Sequence, residues 1–207
     1  GGLRHLILSD NADCDVYALT KYDRFAEATP FAFPFRVVCG HWPTALYNDK
    51  IQQFDPVFHH DKNIISIDGG CVLKADGQLN ALIIPSEDST DFVWTAYDGL
   101  PTVIALDAQS PSTDSVNIRW GRSRLELLEE GEELSLCRHL ETGRELLILN
   151  HYLRRDANGL WCEDSTDYSL PVSPGDVLSL VYSTKQGHLC KKDGVTGWYY
   201  GRIEGTY

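Results

Sequence analysis

The sequence predicts a mainly β chain of the α+β class, arranged in two parts, and three observations predict it. Two apolar runs, Val37-Val38-Cys39 and Ile64-Ile65-Ser66-Ile67, stop abruptly at Gly40-His41 and at Asp68-Gly69-Gly70. Buried strands end in this way where a sheet carries a functional rim. From Val116 onward, short runs of strand-forming residues recur with glycine-containing turns between them, the pattern of a small sandwich or barrel. Pro30 and Pro34 end the one weakly helical stretch, because proline lacks an amide donor and holds the preceding residue extended. The parts divide into residues 1–106 and residues 107–207.

Element by element, Leu3 to Leu8 reads as a short strand, Asp10 to Asp15 as an acidic loop and Val16 to Ala26 as a weak helix. Val37 to Cys39, Asn63 to Ile67, Cys71 to Lys74 and Asn80 to Ile84 read as strands. Tyr47 to Lys62 is expected to be a loop long enough to overhang a site, and it carries His59-His60. Adjacent side chains on an extended backbone point to opposite sides, so both imidazoles cannot face one ligand, and an ordinary surface placement competes with a binding one. The polar cluster Ser86 to Asp91 separates this segment from Phe92 to Tyr97, a further alternating strand that extends the sheet or packs on it. Gln109 to Thr113 marks the boundary. Beyond it, Asn117 to Trp120, Arg124 to Leu128, Leu134 to His139 and Arg144 to Leu149 are strands, with Glu130-Gly131 and Thr142-Gly143 supplying positive φ for hairpins.

A formal charge of −12, from 30 acidic against 18 basic residues, argues against a nucleic-acid partner, which needs clustered Lys and Arg. No run approaches the roughly 20 apolar residues of a membrane span, so no membrane partner is expected. The six cysteines are widely spaced without a Cys-x-x-Cys pair, and most lie in apolar strand contexts. Buried thiols in a reducing, cytoplasmic setting are the expectation. The chain contains no methionine and opens with Gly1-Gly2, as protease processing leaves, so a fragment of a longer protein is expected. Cys137-x-His139 is a possible redox or metal pair, and Asp164-Ser165-Thr166-Asp167 a possible cation or acid-base pair. Strand and turn roles are favoured for both.

Gly40-His41, then Ile67-Asp68-Gly69-Gly70, then Gly77-Gln78-Leu79-Asn80-Ala81-Leu82 occur in that order over residues 35–85. This segment resembles the closing part of the calcineurin-like metallophosphoesterases, in the branch that includes protein serine/threonine phosphatases and diadenosine-tetraphosphatases. The resemblance implies a partial metallophosphoesterase β-layer, with His41 a metal ligand and Asp68, His59 and His60 near substrate. It implies a pair of divalent ions (Mn, Fe or Zn) in the intact parent, activating a water for in-line attack on phosphorus. It also implies a phosphorylated small molecule or phosphoprotein as substrate. The family's other motifs, Asp-x-His, Gly-Asp-x-x-Asp-Arg and Gly-Asn-His-Glu, do not occur here. Leu6-Ile7-Leu8-Ser9-Asp10 is followed by Ala12 instead of His, Gly175-Asp176 lacks the Asp-Arg, and Asn150-His151 follows Leu149. The chain alone is therefore expected to bind no metal tightly and to be inactive.

Leu170 to Val181, Gly187 to Lys192 and Gly194 to Ile203, with the turn Gly175-Asp176 and the run Gly197-Trp198-Tyr199-Tyr200-Gly201-Arg202, resemble a bacterial SH3-like barrel. That resemblance implies a groove for a peptide or cell-wall fragment, with Trp198, Tyr199 and Tyr168 as candidates to line it. Packing of Trp198 and Tyr199 inside the barrel is the competing reading. Three functions follow: part of a metal-dependent phosphoesterase with an accessory domain, a noncatalytic binding module, or a structural extension covering a sheet edge.

Overall fold

The computed structural model describes residues 21–86 and 89–205. The expected strand over Leu3 to Leu8, the acidic loop and the first part of the Val16 to Ala26 helix lie outside these residues. The described chain is mainly β and divides into two units. The first holds the described residues up to Ala45 together with Phe54–Leu73 and Gly77–Asp98. The second holds Leu46–Gln53, Lys74–Asp76 and everything from Gly99 on.

In the first unit a single helical turn, α1 (Phe25–Ala28), precedes β1 (Val37–Cys39). Thr29 closes that turn by donating its hydroxyl to the Phe25 carbonyl at 2.8 Å. Phe25 buries its ring against Phe33, centroids 6.1 Å apart. β3 (Val57–His59) and β4 (Ile64–Ser66) form a hairpin, and β1 adds to β4 in parallel, pairing Val37 with Ile64 and Cys39 with Ser66. Ile64 and Ile65 are fully buried, as the central strand of such a sheet requires. A separate antiparallel ribbon joins β5 (Leu79–Ile83) to β6 (Val93–Tyr97).

The second unit has two larger sheets. β2 (Gln52–Gln53), β7 (Thr102–Ala105), β15 (Val177–Ser183), β16 (His188–Lys192), β17 (Val195–Tyr199) and β18 (Ile203–Glu204) form one, in the order β18-β7-β15-β16-β17-β2. β9 (Arg124–Glu129), β10 (Leu134–His139), β11 (Glu145–Leu149), β12 (Leu153–Asp156) and β13 (Gly159–Cys162) form the other, in the order β11-β10-β9-β13-β12. β8 (Asn117–Ile118) pairs with β14 (Ser165–Thr166). Leu134 and Leu149 pack with Leu189 and Trp198 in a buried cluster that links the two sheets.

Several expectations are corrected. The sheet built from residues 170–203 is open, with β18 and β2 as its edges, and no sheet of the described residues closes into a barrel. That stretch supplies too few strands to close, and the sheet recruits β7 and β2 from distant parts of the sequence. Cys71 to Lys74 is a turn, because Gly70 and Val72 both take left-handed φ, 69° and 66°. Tyr47 to Lys62 is not a loop: β2 forms there by pairing with distant β17, and β3 by making a hairpin with β4. Gly143 has the positive φ its hairpin needs, 72°, whereas Gly131 has not. At Gly131 a Cβ would lie 2.1 Å from the Leu134 carbonyl oxygen, so the missing side chain makes room for backbone.

Close backbone approach also governs β17. Trp198 donates its amide to the Tyr168 carbonyl at 2.7 Å and its own carbonyl accepts from Leu170 at 2.9 Å. A Cβ on Gly197 would stand 2.6 Å from the Tyr168 carbonyl oxygen. Gly197→Ala is expected to lower stability by about 1–3 kcal/mol through this overpacking, measured as a lower urea midpoint at unchanged slope.

Candidate functional site

Parallel strands end on the same side, so the exits of β1 and β4 are neighbours. Gly40-His41 leaves β1 and Asp68 lies just past β4, and a bond from the Ile67 amide to the Cys39 carbonyl, 2.9 Å, carries the pairing to the rim. A Cβ on Gly40 would lie 3.9 Å from the Asp68 carboxylate oxygen Oδ2. The two exits are then tied together: Thr44 donates its amide to the Asp68 carbonyl at 2.7 Å and its hydroxyl to the Phe54 carbonyl at 2.8 Å.

Asp68 turns its own side chain inward. Its Oδ1 accepts the Gly70 amide at 2.9 Å, an Asx-type turn that sets the direction of the chain after β4. Gly69 must be glycine, since a Cβ there would meet the Gln78 carbonyl oxygen at 2.3 Å. The buried amide of Asn80 anchors the turn from below, donating to the Phe54 carbonyl at 2.8 Å and to the Ile67 carbonyl at 3.1 Å. Gln78 completes the network with bonds to Asp55 and Asn80.

His41 adopts φ 71°, the left-handed region, which costs a residue with a side chain about 1 kcal/mol. Its ring is exposed, and Nε2 lies 3.1 Å from Oδ1 of Asp23. His59 sits on β3 with Nε2 3.4 Å from the Ser66 hydroxyl, and that hydroxyl lies 3.5 Å from the Cys39 thiol. Burial raises the Cys39 thiol above its ordinary range. Burial first, and then the Lys62 ammonium, hold the His59 imidazole below its usual pKa. His60 is exposed and stacks on Phe58 at 5.9 Å, so the two imidazoles differ in role although they are adjacent in sequence.

Four predicted site residues therefore fall in the first unit, and the strand pairing brings His41 and Asp68 to one rim. The signal for Asp23 was absent from the sequence, because it stands 18 positions before its partner without a recognisable spacing. Among the described residues no group of three or more His, Cys, Asp or Glu side chains is placed to hold a metal ion. His41 and Asp68 by themselves do not fit a metal pair.

In the second unit Trp198 and Tyr168 are buried and Tyr199 is fully so. The Trp198 indole donates to the Thr166 carbonyl at 2.9 Å, and the Tyr199 hydroxyl donates to the Asp107 carbonyl at 2.8 Å. Tyr200, which sequence reasoning passed over, is the exposed aromatic, stacked on Trp198 at 6.3 Å and 12°. It borders a groove of about 110 Å³ lined also by Leu134, Leu147, Glu145 and Asp167. Asp164 and Asp167 form no joint site: the first pairs with Lys74, and the second accepts from Arg144 and the Val116 amide. His139 binds Thr142 and the Arg122 carbonyl through its two ring nitrogens. The described cysteines are free thiols, with Cys71 exposed, and no described helix is long and apolar enough to cross a membrane.

Compared with protein families, curated proteins and solved structures, the chain has no match.

The lowered pKa of His59 has a consequence for stability. Below about pH 6.5 the unfolded chain takes up a proton that folded His59 resists, so stability falls as pH drops through that value. The thermal midpoint is expected to fall between about pH 7.5 and about pH 5.5, and His59→Asn to shrink that fall. An equal fall in both proteins would assign the effect to other groups.

Proposed function

We propose that the first unit is one rim of a metal-dependent phosphoesterase site, and that the second is a noncatalytic accessory unit. The observation that carries the reading is the common end of β1 and β4, where Gly40-His41 and Asp68 stand side by side and His41 holds an uncommon backbone conformation. Left-handed φ at a residue other than glycine costs free energy, and such conformations concentrate at functional sites. In this reading the parent carries a pair of divalent ions (Mn, Fe or Zn), whose remaining ligands lie outside the described residues, and its substrate is a phosphorylated small molecule or phosphoprotein. When bound, those ions would supply the activated water and offset charge on phosphorus. This chain's own residues bind and orient: His41 presents an imidazole at the rim, and Asp68 fixes the turn beneath it through Gly70.

The test is hydrolysis of p-nitrophenyl phosphate in the presence of manganese. The chain alone is expected to be inactive. A version extended through its upstream reading frame is expected to be active, with His41→Ala lowering its rate by at least about a hundredfold, since ligand loss should exceed the 10–100-fold cost of losing a ligand's supporting partner. Turnover by this chain alone, or an extended form indifferent to His41, would contradict the reading.

A second reading for the second unit has its own observation, the groove beside exposed Tyr200. Because Trp198, Tyr199 and Tyr168 are packed, peptide recognition there rests on Tyr200 and Leu147. A fluorescent proline-rich peptide is expected to bind saturably and to lose at least about tenfold in affinity in Tyr200→Ala; an unaffected affinity would remove this reading.

A further inference from the structure

We propose that Asp23 is the positioning residue of His41: it fixes the imidazole with Nε2 as the donor and leaves Nδ1 as the nitrogen with a free lone pair. His41 Nε2 lies 3.1 Å from Asp23 Oδ1, and no other hydrogen bond holds the ring among the described residues. A carboxylate offers only acceptors, so the nitrogen that faces it must carry the hydrogen. In a neutral imidazole the other nitrogen is then the acceptor, because one ring holds one N–H. Which nitrogen is free to engage an electrophile is thus decided by the carboxylate.

The need for such a partner follows from where His41 sits. Its left-handed backbone projects the ring from a rim, exposed, with no core packing to select one orientation. Exposed rings without a partner exchange both tautomers and several rotamers. Asp23, in contrast, is placed by a fixed platform. The next residue, Arg24, turns the chain with φ 55°, and Phe25 and Ala26 directly after it are buried. Lys62 donates its ammonium to the Ala26 carbonyl at 2.8 Å, and Asn63, just before β4, donates its side-chain amide to the Phe33 carbonyl at 2.6 Å. The platform that carries Asp23 is therefore bonded to the β3–β4 turn, and β4 is the strand beside which β1 delivers His41. A carboxylate that orients a histidine through its second nitrogen is the general device by which such rings are held for binding an electrophile.

What the free Nδ1 engages rests on the phosphoesterase reading; which nitrogen is free does not. The test separates the two. Long-range proton–nitrogen correlation spectra of the uniformly nitrogen-15-labelled chain, taken at a pH where the ring is neutral, report the protonated nitrogen of each histidine without metal, substrate or activity. The wild type is expected to show His41 as a single tautomer with hydrogen on Nε2. Asp23→Ala and Asp23→Asn, whose amide can donate as well as accept, should each give a mixture of both, and Asp23→Glu, which keeps an acceptor-only carboxylate, should restore the single form, all with the same thermal midpoint. A wild-type mixture, hydrogen on Nδ1, or an Asp23→Ala spectrum identical to the wild type would overturn the proposal. In the extended protein, Asp23→Ala should lower phosphatase activity about 10- to 100-fold, with recovery in Asp23→Glu. Tautomer control by Asp23 together with an activity indifferent to both Asp23 and His41 would uphold the positioning and defeat the phosphoesterase reading instead.

Discussion

The short parallel pairing of β1 with β4 is the constraint on which the candidate site depends. Only three residue pairs make it, yet its direction decides everything at the rim. Had β1 joined antiparallel, Gly40-His41 and Asp68 would leave opposite ends of the sheet. Because it is parallel, they leave together, and the Val37 amide bonding to the Asn63 carbonyl at 2.9 Å fixes the register from the far end. Parallel strands survive when covered, and full burial of Ile64 and Ile65 provides the apolar free energy for so brief a ladder.

Around that pairing the unit uses backbone-directed side chains rather than bulk. Thr44, Asn80 and Gln78 are buried, and each donates to a carbonyl or carboxylate oxygen near the turn after β4. A typical bond of this kind contributes about 1 kcal/mol net, but leaving its buried partner unsatisfied costs about 1–3 kcal/mol. The network is therefore worth more as a specification of geometry than as a source of stability. It holds Asp68 and Gly70 in one turn while His41 takes its uncommon φ across from them.

The sequence carried this rim more clearly than it carried the rest. Val37-Val38-Cys39 and the run around Ile64-Ile65 are unbroken apolar segments closed by glycine, so strand existence and strand end are both local signals, and His41 and Asp68 could be read from them. Leu134 to His139 was legible to the residue for the same reason. What failed were features set by distant partners. Gln52-Gln53 looks like loop until β17 pairs with it, and Cys71 to Lys74 looks like strand although Gly70 and Val72 bend it. β7 stayed unassigned because proline and glycine precede it, although Val103 and Ala105 are core residues of the second unit. Asp23 and Tyr200 carry no motif at all; their roles exist only once strands bring their neighbours to them. An SH3-like pattern of turns and aromatics described the strands of residues 170–203 but not their open arrangement, since closure depends on strands the pattern does not contain.

The central claim is that His41, at the common end of β1 and β4, belongs to a metal-bearing phosphoesterase site. Anomalous scattering at the manganese edge, from crystals of the protein extended through its upstream reading frame and grown with manganese, tests it most directly. The account predicts a peak at bonding distance from Nδ1 of His41, with Nε2 still on Asp23. A peak remote from His41, or a His41 ring turned away from every metal in the protein, would contradict it.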